Sequence, residues 1–315
     1  MNPLPTQKLI AALGLVLIFG CSETKKDYLG TNSPSNINTP SPKEVVRNLG
    51  DEFREYWYAN DAEITSYDLK QARYGELRDG NAVLIFVSED FLPEKQVKAN
   101  TFAKENIPVL KCNLVKKFNT GVYPYSIMTS SFSPVETEGH AIKVSNSVQE
   151  WCGQVYAQLN NRKKFEIESH SYFEGEADLS LSLPKTWLED ELWNLIRINP
   201  EELPTGNVEL IPSFEFLRIG HKEVKAYPAI ISLKQGDILS IYQIEYPELE
   251  RELTLYFNSS FPFEIEKWEE TSMSGFGQEA LALTTKATKI KRIKTAYWMQ
   301  NSNKDVALRD TLGLK

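Results

Sequence analysis

Three cysteines and three histidines in 315 residues leave few routes to chemistry. The histidines are His140, His170 and His221; none forms an HExxH pair, so an imidazole-built zinc centre lacks its usual spacing. There is no G-x-S-x-G elbow and no cysteine beside an identifiable base, which removes the common signatures of nucleophilic hydrolases. Ser272, Ser274, Gly275 and Gly277 form a small-residue loop without the rest of a phosphate-binding fingerprint. No apolar run approaches the ~20 residues that a membrane-spanning helix needs. Basic residues are outnumbered, 35 against 43, and a net charge of −8 speaks against a general nucleic-acid partner.

What is present starts at the N-terminus. After Lys8, Leu9 to Phe19 is a short charge-free apolar run that ends at Gly20 and Cys21. Such a run is an h-region, and Gly20 supplies the small residue that a signal peptidase must approach closely. The order Ile18, Phe19, Gly20, Cys21 resembles the lipobox of bacterial lipoproteins, with Phe19 where a smaller residue is usual. The resemblance implies cleavage between Gly20 and Cys21 and lipid attachment, palmitate included, at the Cys21 sulfur. The alternative is an ordinary signal peptide with a chance cysteine at its end. Residues 1–20 are thus read as a signal peptide. Residues 21–40, polar and rich in Ser, Asn and Pro, are read as a flexible tether that cannot bury enough apolar surface to order itself.

Residues 41–315 are expected to form a single β-rich globular domain. Ser41, Pro42 and Glu44 match a capping box, and Val46, Leu49, Phe53 and Trp57 recur at helical spacing, predicting an N-terminal helix. Strand patterns then dominate. Ile64 to Leu77 and Ala82 to Ser88 flank a turn at Asp79, Gly80 and Asn81. Further strands are read at Val109–Val115, Tyr123–Ser130, Gln149–Gln158, Phe165–Tyr172 and Leu179–Leu183. A short amphipathic helix capped by Thr186, with Glu189 at N3, interrupts them before Pro200. Strands resume at Val208–Ile211, Ala226–Leu233, Ile238–Tyr246, Glu252–Phe257 and Phe263–Trp268. Short turns between successive strands favour a mainly β (α+β) fold: large antiparallel sheets, open to curvature, with an N-terminal helix and one short internal helix.

Few residues are candidates for chemistry. Glu166, Glu168 and His170 share one face of a strand at period two and could present ligands to a divalent ion; the same alternation describes a solvated face with Phe165 and Ile167 inward. Cys112 and Cys152 can form a disulfide in an oxidising compartment or remain buried thiols. Tyr123, Tyr125, Ile127 and Phe132 with neighbouring hydroxyls can line a pocket or fill a core. Lys286, Lys289, Lys291, Arg292 and Lys294 can meet anionic head groups or form a charged strand face that resists edge pairing. No cofactor is implied.

The stretches Lys117 to Pro134 and Arg73 to Phe91, with Trp151 and Cys152, resemble a group of uncharacterised lipoproteins from Bacteroidota, whose members often carry the label "septum formation inhibitor Maf". Maf proteins proper resemble cytoplasmic nucleotide pyrophosphatases with a Ser-x-Arg-Arg motif; no two arginines are adjacent here, so the label comes without that activity. The resemblance implies a cell-envelope address, at the outer membrane on its periplasmic or surface side. The expected function is a non-catalytic binding module for an envelope protein or lipid-like ligand, held at the membrane by its lipid anchor. The alternative is a carboxylate- or metal-dependent hydrolase built around His170.

Overall fold

In a computed structural model the structure describes residues 45–314. The signal peptide, its cleavage site at Gly20 and Cys21, the tether and the cap at Ser41 to Glu44 lie outside the described residues. Residues 44–315 group as one compact unit. The first strand run comprises β1 (Ala62–Arg73), β2 (Glu76–Leu92), a two-residue β3 (Val97–Lys98) on the end of β2, β4 (Ile107–Thr120), β5 (Tyr123–Pro134), β6 (Lys143–Glu150), β7 (Gly153–Asn161), β8 (Phe165–Ser171) and β9 (Leu179–Leu183). The second comprises β10 (Trp187–Leu188), β11 (Gly206–Ile211), β12 (Tyr227–Lys234), β13 (Leu239–Tyr246), β14 (Arg251–Asn258), β15 (Ile265–Ser274) and β16 (Leu281–Thr295). All belong to one sheet, antiparallel except for the brief parallel pairing of β10 with β11.

The topology forces curvature. β1 pairs with β16, so the two runs grow outward in opposite directions and end on β9 and β10. Laid flat at ~4.8 Å per strand, the fifteen-strand path would separate these edges by roughly 67 Å. Leu183 and Trp187 are consecutive strand ends, and the chain between them reaches only about 14 Å. The sheet therefore curls round a common core without closing. Its inward face carries Tyr67, Leu84, Tyr242, Leu255 and Trp268, all in one buried cluster.

Helix α2 (Glu189–Ile198) follows β10 directly and fills this interior. Every residue in it is buried, polar ones included. Trp193 meets Trp268 edge-on at 5.2 Å between ring centres. Arg197 holds Glu63 of β1 by paired bonds of 2.5 and 2.7 Å and donates from Nε to the Pro262 carbonyl at 2.8 Å. Its guanidinium also lies over the Trp57 and Phe86 rings. Glu189 takes paired bonds of 2.5 and 2.7 Å from Arg251 of β14, which reaches Glu270 at 2.7 Å as well. The Asn194 amide donates to the Leu110 carbonyl at 2.8 Å. Helix α3 (Phe214–Ile219) packs behind α2: its first N–H donates to Asp190 at 3.2 Å, and its Glu215 accepts from Lys116 at 2.8 Å.

The mainly β sheet agrees with the alternation in the sequence, but several boundaries move. The N-terminal helix α1 covers only Asp51–Trp57; Val46 is exposed in a bridge to Thr137, because Arg47 is held by Glu202 and by the Pro134 and Thr137 carbonyls. The first hairpin turns at Tyr74 and Gly75, both with positive φ, rather than at Asp79 to Asn81. Gly80 instead lies inside β2, where a Cβ would collide with the Lys117 carbonyl. Gln149 to Gln158 is not one strand but the end of β6, a turn at Trp151 and Cys152, and most of β7. The internal helix starts after Leu188, where Glu191 accepts from the Leu188 N–H at 3.0 Å, so Thr186 is not its cap.

Two outcomes follow from this interior. Removing one partner of a buried ion pair strands the other, so Arg197→Met is expected to lower unfolding free energy by about 3–5 kcal/mol, while Glu63→Gln with Arg197→Met recovers at least half of that loss. Denaturant titration reads both, and equal losses in the single and double variants would show that the charge is not the cause. Burial, then the charge of Glu189, pushes the Asp190 carboxyl up to about 7. An acid whose folded pKa lies above its unfolded value near ~4 binds a proton on folding, so its stabilisation is full below ~4 and disappears as pH rises through about 7. Glu63 and Glu270, held low by Arg197 and Arg251 against the effect of burial, act oppositely and only in more acid solution. Asp190→Asn should therefore flatten a decline of up to about 1.4 kcal/mol per pH unit between pH ~5 and ~7. Parallel stability profiles for variant and wild type would refute this.

Candidate functional site

Strand direction places the turns at Tyr74–Gly75, Gly121–Val122 and Trp151–Cys152, the loop 172–178, the loop 275–280 and the α3 segment at one end of the curled sheet, here called the upper rim. Two cavities open there, on either side of α3. The larger, about 560 Å³, lies between α3 and the inner faces of β6 to β9. Val155, Ala157, Leu179, Leu181, Phe214 and Leu217 give it an apolar lining. Alternation on β7 and β9 turns these side chains inward, and the short α3 leaves unfilled the space that α2 fills deeper down.

Charged groups gather at its mouth. Glu176, on the loop after β8, accepts from Arg218 at 2.9 Å and lies 2.9 Å from His221 Nδ1. The Arg218 guanidinium covers the Phe173 ring at 4.5 Å. This cluster ties the loop to α3 across the cavity entrance. The arrangement, an apolar chamber with ionic groups at its opening, suits an amphipathic molecule and lies within the ~300–1,000 Å³ usual for small-molecule sites.

The second cavity, about 520 Å³, is polar and lies between α3 and the upper ends of β1, β15 and β16. Gln71, Arg73, Glu215, Glu270 and Ser274 line it. Arg73 donates to the Ile219 carbonyl at 3.0 Å and to the Tyr74 hydroxyl at 3.1 Å, while its Nε and the Gln71 Oε1 are buried without partners. Burial alone would depress the Lys116 ammonium, but Glu215 and Glu270 outweigh it and keep this lysine charged. Below, the space enclosed by Lys116, Glu189, Asp190 and Arg251 shrinks to about 20 Å³, room for a single water at most.

The residues singled out from the sequence do not converge on this site. Glu166, Glu168 and His170 share the outward face of β8, each with a separate neighbour: Arg162 at 3.2 Å, Ser180 at 2.7 Å and Asp178 at 3.4 Å. No group of three or more metal-ligating side chains occurs among the described residues. Cys112 and Cys152 are both free: Cys112 is buried on β4, and Cys152 is exposed in a hairpin turn rather than within an apolar strand. Tyr125 is core, stacked on Phe118 at 4.9 Å and bonded to the Tyr74 hydroxyl at 2.8 Å. Four of the five basic residues of β16 face acids: Lys286 meets Glu269 at 3.2 Å, Lys289 meets Glu264 at 3.1 Å, Lys294 meets Asp61 at 3.2 Å and Arg292 pairs with Glu264, while Lys291 is exposed. That pairing offsets most of the patch's charge. No helix among the described residues is long and apolar enough to cross a membrane.

Sequence reasoning missed α3 and with it Arg218 and His221. The available signal was Ser213 followed by Phe214, Phe216 and Leu217; the Ser213 hydroxyl indeed accepts from the Phe216 N–H at 3.1 Å. Six residues are too few for helical periodicity to stand out.

No protein-family model and no curated protein sequence matches the chain. Among solved structures, the chain is similar to a beta-barrel-like protein of a domain of unknown function, DUF1849, from Brucella abortus, with a TM-score of 0.43 and 11% sequence identity over 74% of this chain and 98% of that one.

Proposed function

We propose that the protein is a non-catalytic envelope lipoprotein, anchored through Cys21, that holds a lipid-like amphipathic ligand in the cavity between α3 and β6 to β9. The observation that carries this reading is the apolar chamber of about 560 Å³ with Arg218, His221 and Glu176 at its entrance. Each ligand methylene moved from water into such a lining is worth about 0.8 kcal/mol, and the ionic cluster at the mouth offers a place for a polar head. The lipobox-like run before Cys21 and the resemblance to Bacteroidota lipoproteins agree with an anchored address at the outer membrane. Splayed, separately engaged carboxylates around His170 give hydrolysis no comparable support.

Titration of the full-length protein with a dansyl-labelled undecanoic acid is expected to show saturable fluorescence enhancement. Ala157→Phe, which fills the chamber, should weaken it about tenfold or more at little expense in fold. Enhancement that is absent, or unchanged in the variant, would remove the ligand reading. Separately, labelled palmitate fed to producing cells should enter wild-type protein and not Cys21→Ala; the variant should leave the membrane fraction. A Cys21→Ala protein that stays membrane-bound, with wild type unlabelled, would remove the anchor.

A further inference from the structure

We infer that the upper rim is a docking surface for an electrically neutral lipid bilayer. Five neighbouring hairpin tips each raise a large apolar side chain into solvent: Tyr172 after β8, Trp151 between β6 and β7, Val122 between β4 and β5, Leu77 just past the β1–β2 turn, and Phe276 between β15 and β16. They are 74%, 69%, 80%, 52% and 69% exposed. Turns ordinarily carry Gly, Asn, Asp or Ser, because those residues suit the backbone and stay wet. Apolar side chains at five successive tips depart from that pattern.

The row is organised rather than loose. Phe276 stacks on Tyr74 at 5.6 Å, Trp151 lies 6.5 Å from Tyr123, and the Tyr172 ring packs so closely on Gly153 that a Cβ there would come within 2.7 Å of it. The remaining sector of the rim is charged, with Lys222, Glu223 and Lys225 after α3 and Glu248 and Glu250 between β13 and β14. At the opposite end Val46, Tyr58, Phe102, Ile238 and Met299 are also exposed, and the β7–β8 tip there carries Arg162, Lys163 and Lys164.

Two features select the partner. The apolar tips are separate prongs, and a fluid interface accepts separate prongs, with Trp and Tyr at its boundary, where a protein would need a matching pit for each. Glu150, Glu174 and Glu279 stand close to those tips in the chain, and Arg78 beside Leu77 is paired with Glu76, so attraction to anionic lipid does not drive the contact. Both cavities open at this end, and the docking inference stands without any ligand in either.

The native thiols supply the test. Cys152 is exposed beside Trp151 while Cys112 is buried, so in the full-length protein carrying Cys21→Ala, the background used for every variant here, an environment-sensitive nitrobenzoxadiazole label reports from the rim. A second protein, Cys152→Ser with Gln235→Cys, reports from the opposite end, the end at which the chain enters at Arg47 beside Glu136. With phosphatidylcholine vesicles containing nitroxide lipid, the Cys152 label should be quenched several-fold more than the Gln235→Cys label. Trp151→Ser with Tyr172→Ser should abolish the difference, and neither phosphatidylglycerol nor high salt should change it. Equal quenching at both ends, stronger quenching at Gln235→Cys, or a response that requires anionic lipid would each overturn the inference. Because these readouts do not involve the cavity, they separate its failure from failure of ligand binding.

Discussion

Three residues, Pro184 to Thr186, join the two outermost strands of the sheet, and the rest of the architecture depends on that short connection. It compels the edges to approach, so the sheet must curl, and a curled sheet of this width encloses more space than inward side chains can fill. The chain solves this locally. α2 begins immediately after β10 and is carried inside by the same reversal. A helix in that position has no wet face, so its polar residues must find partners on the surrounding wall.

Those partners come from widely separated sectors. Arg197 reaches Glu63 on β1, Glu189 meets Arg251 on β14, and Asn194 bonds to the Leu110 carbonyl on β4. Ion pairs of this kind are weak contributors to net stability, since desolvation offsets most of the attraction. What they do geometrically is tie α2 to β1, β4 and β14 at once. α3 is shorter and is held through Asp190 and Glu215, leaving the space on its two sides as cavities of opposite character.

Much of the sheet was legible in the sequence because half-buried strands alternate: Leu253, Leu255 and Phe257 inward against Glu252, Thr254 and Tyr256 needs no tertiary information. Errors arose where tertiary contacts outweighed local pattern. Arg47 holds residues 45–49 extended despite a helical stripe, and a Tyr-Gly turn displaced the more familiar Asp-Gly-Asn. β6 went unseen since only Val144 and Val148 mark its buried face among Ser and Asn. The candidate site was illegible for a different reason. Its lining comes from β6 to β9 and from α3, brought together by curvature that no single segment encodes.

That curvature also decides which wall of the apolar cavity can yield. Leu179 and Leu181 belong to β9, an edge strand that pairs with β8 alone. An interior strand is held by ladders on both sides, so moving β9 breaks half as many backbone bonds per residue as moving β7. Beyond β9 the neighbouring edge offers the two-residue β10 and the outer side of β11 from Gly206 to Glu209, a stretch that pairs with β12 alone. The unclosed seam thus lies beside the cavity, and the Glu176 contacts with Arg218 and His221 span the loop that leads into β9. The wall beside the seam is therefore the one held by the fewest backbone bonds, and ionic contacts tie its upper end to the α3 segment.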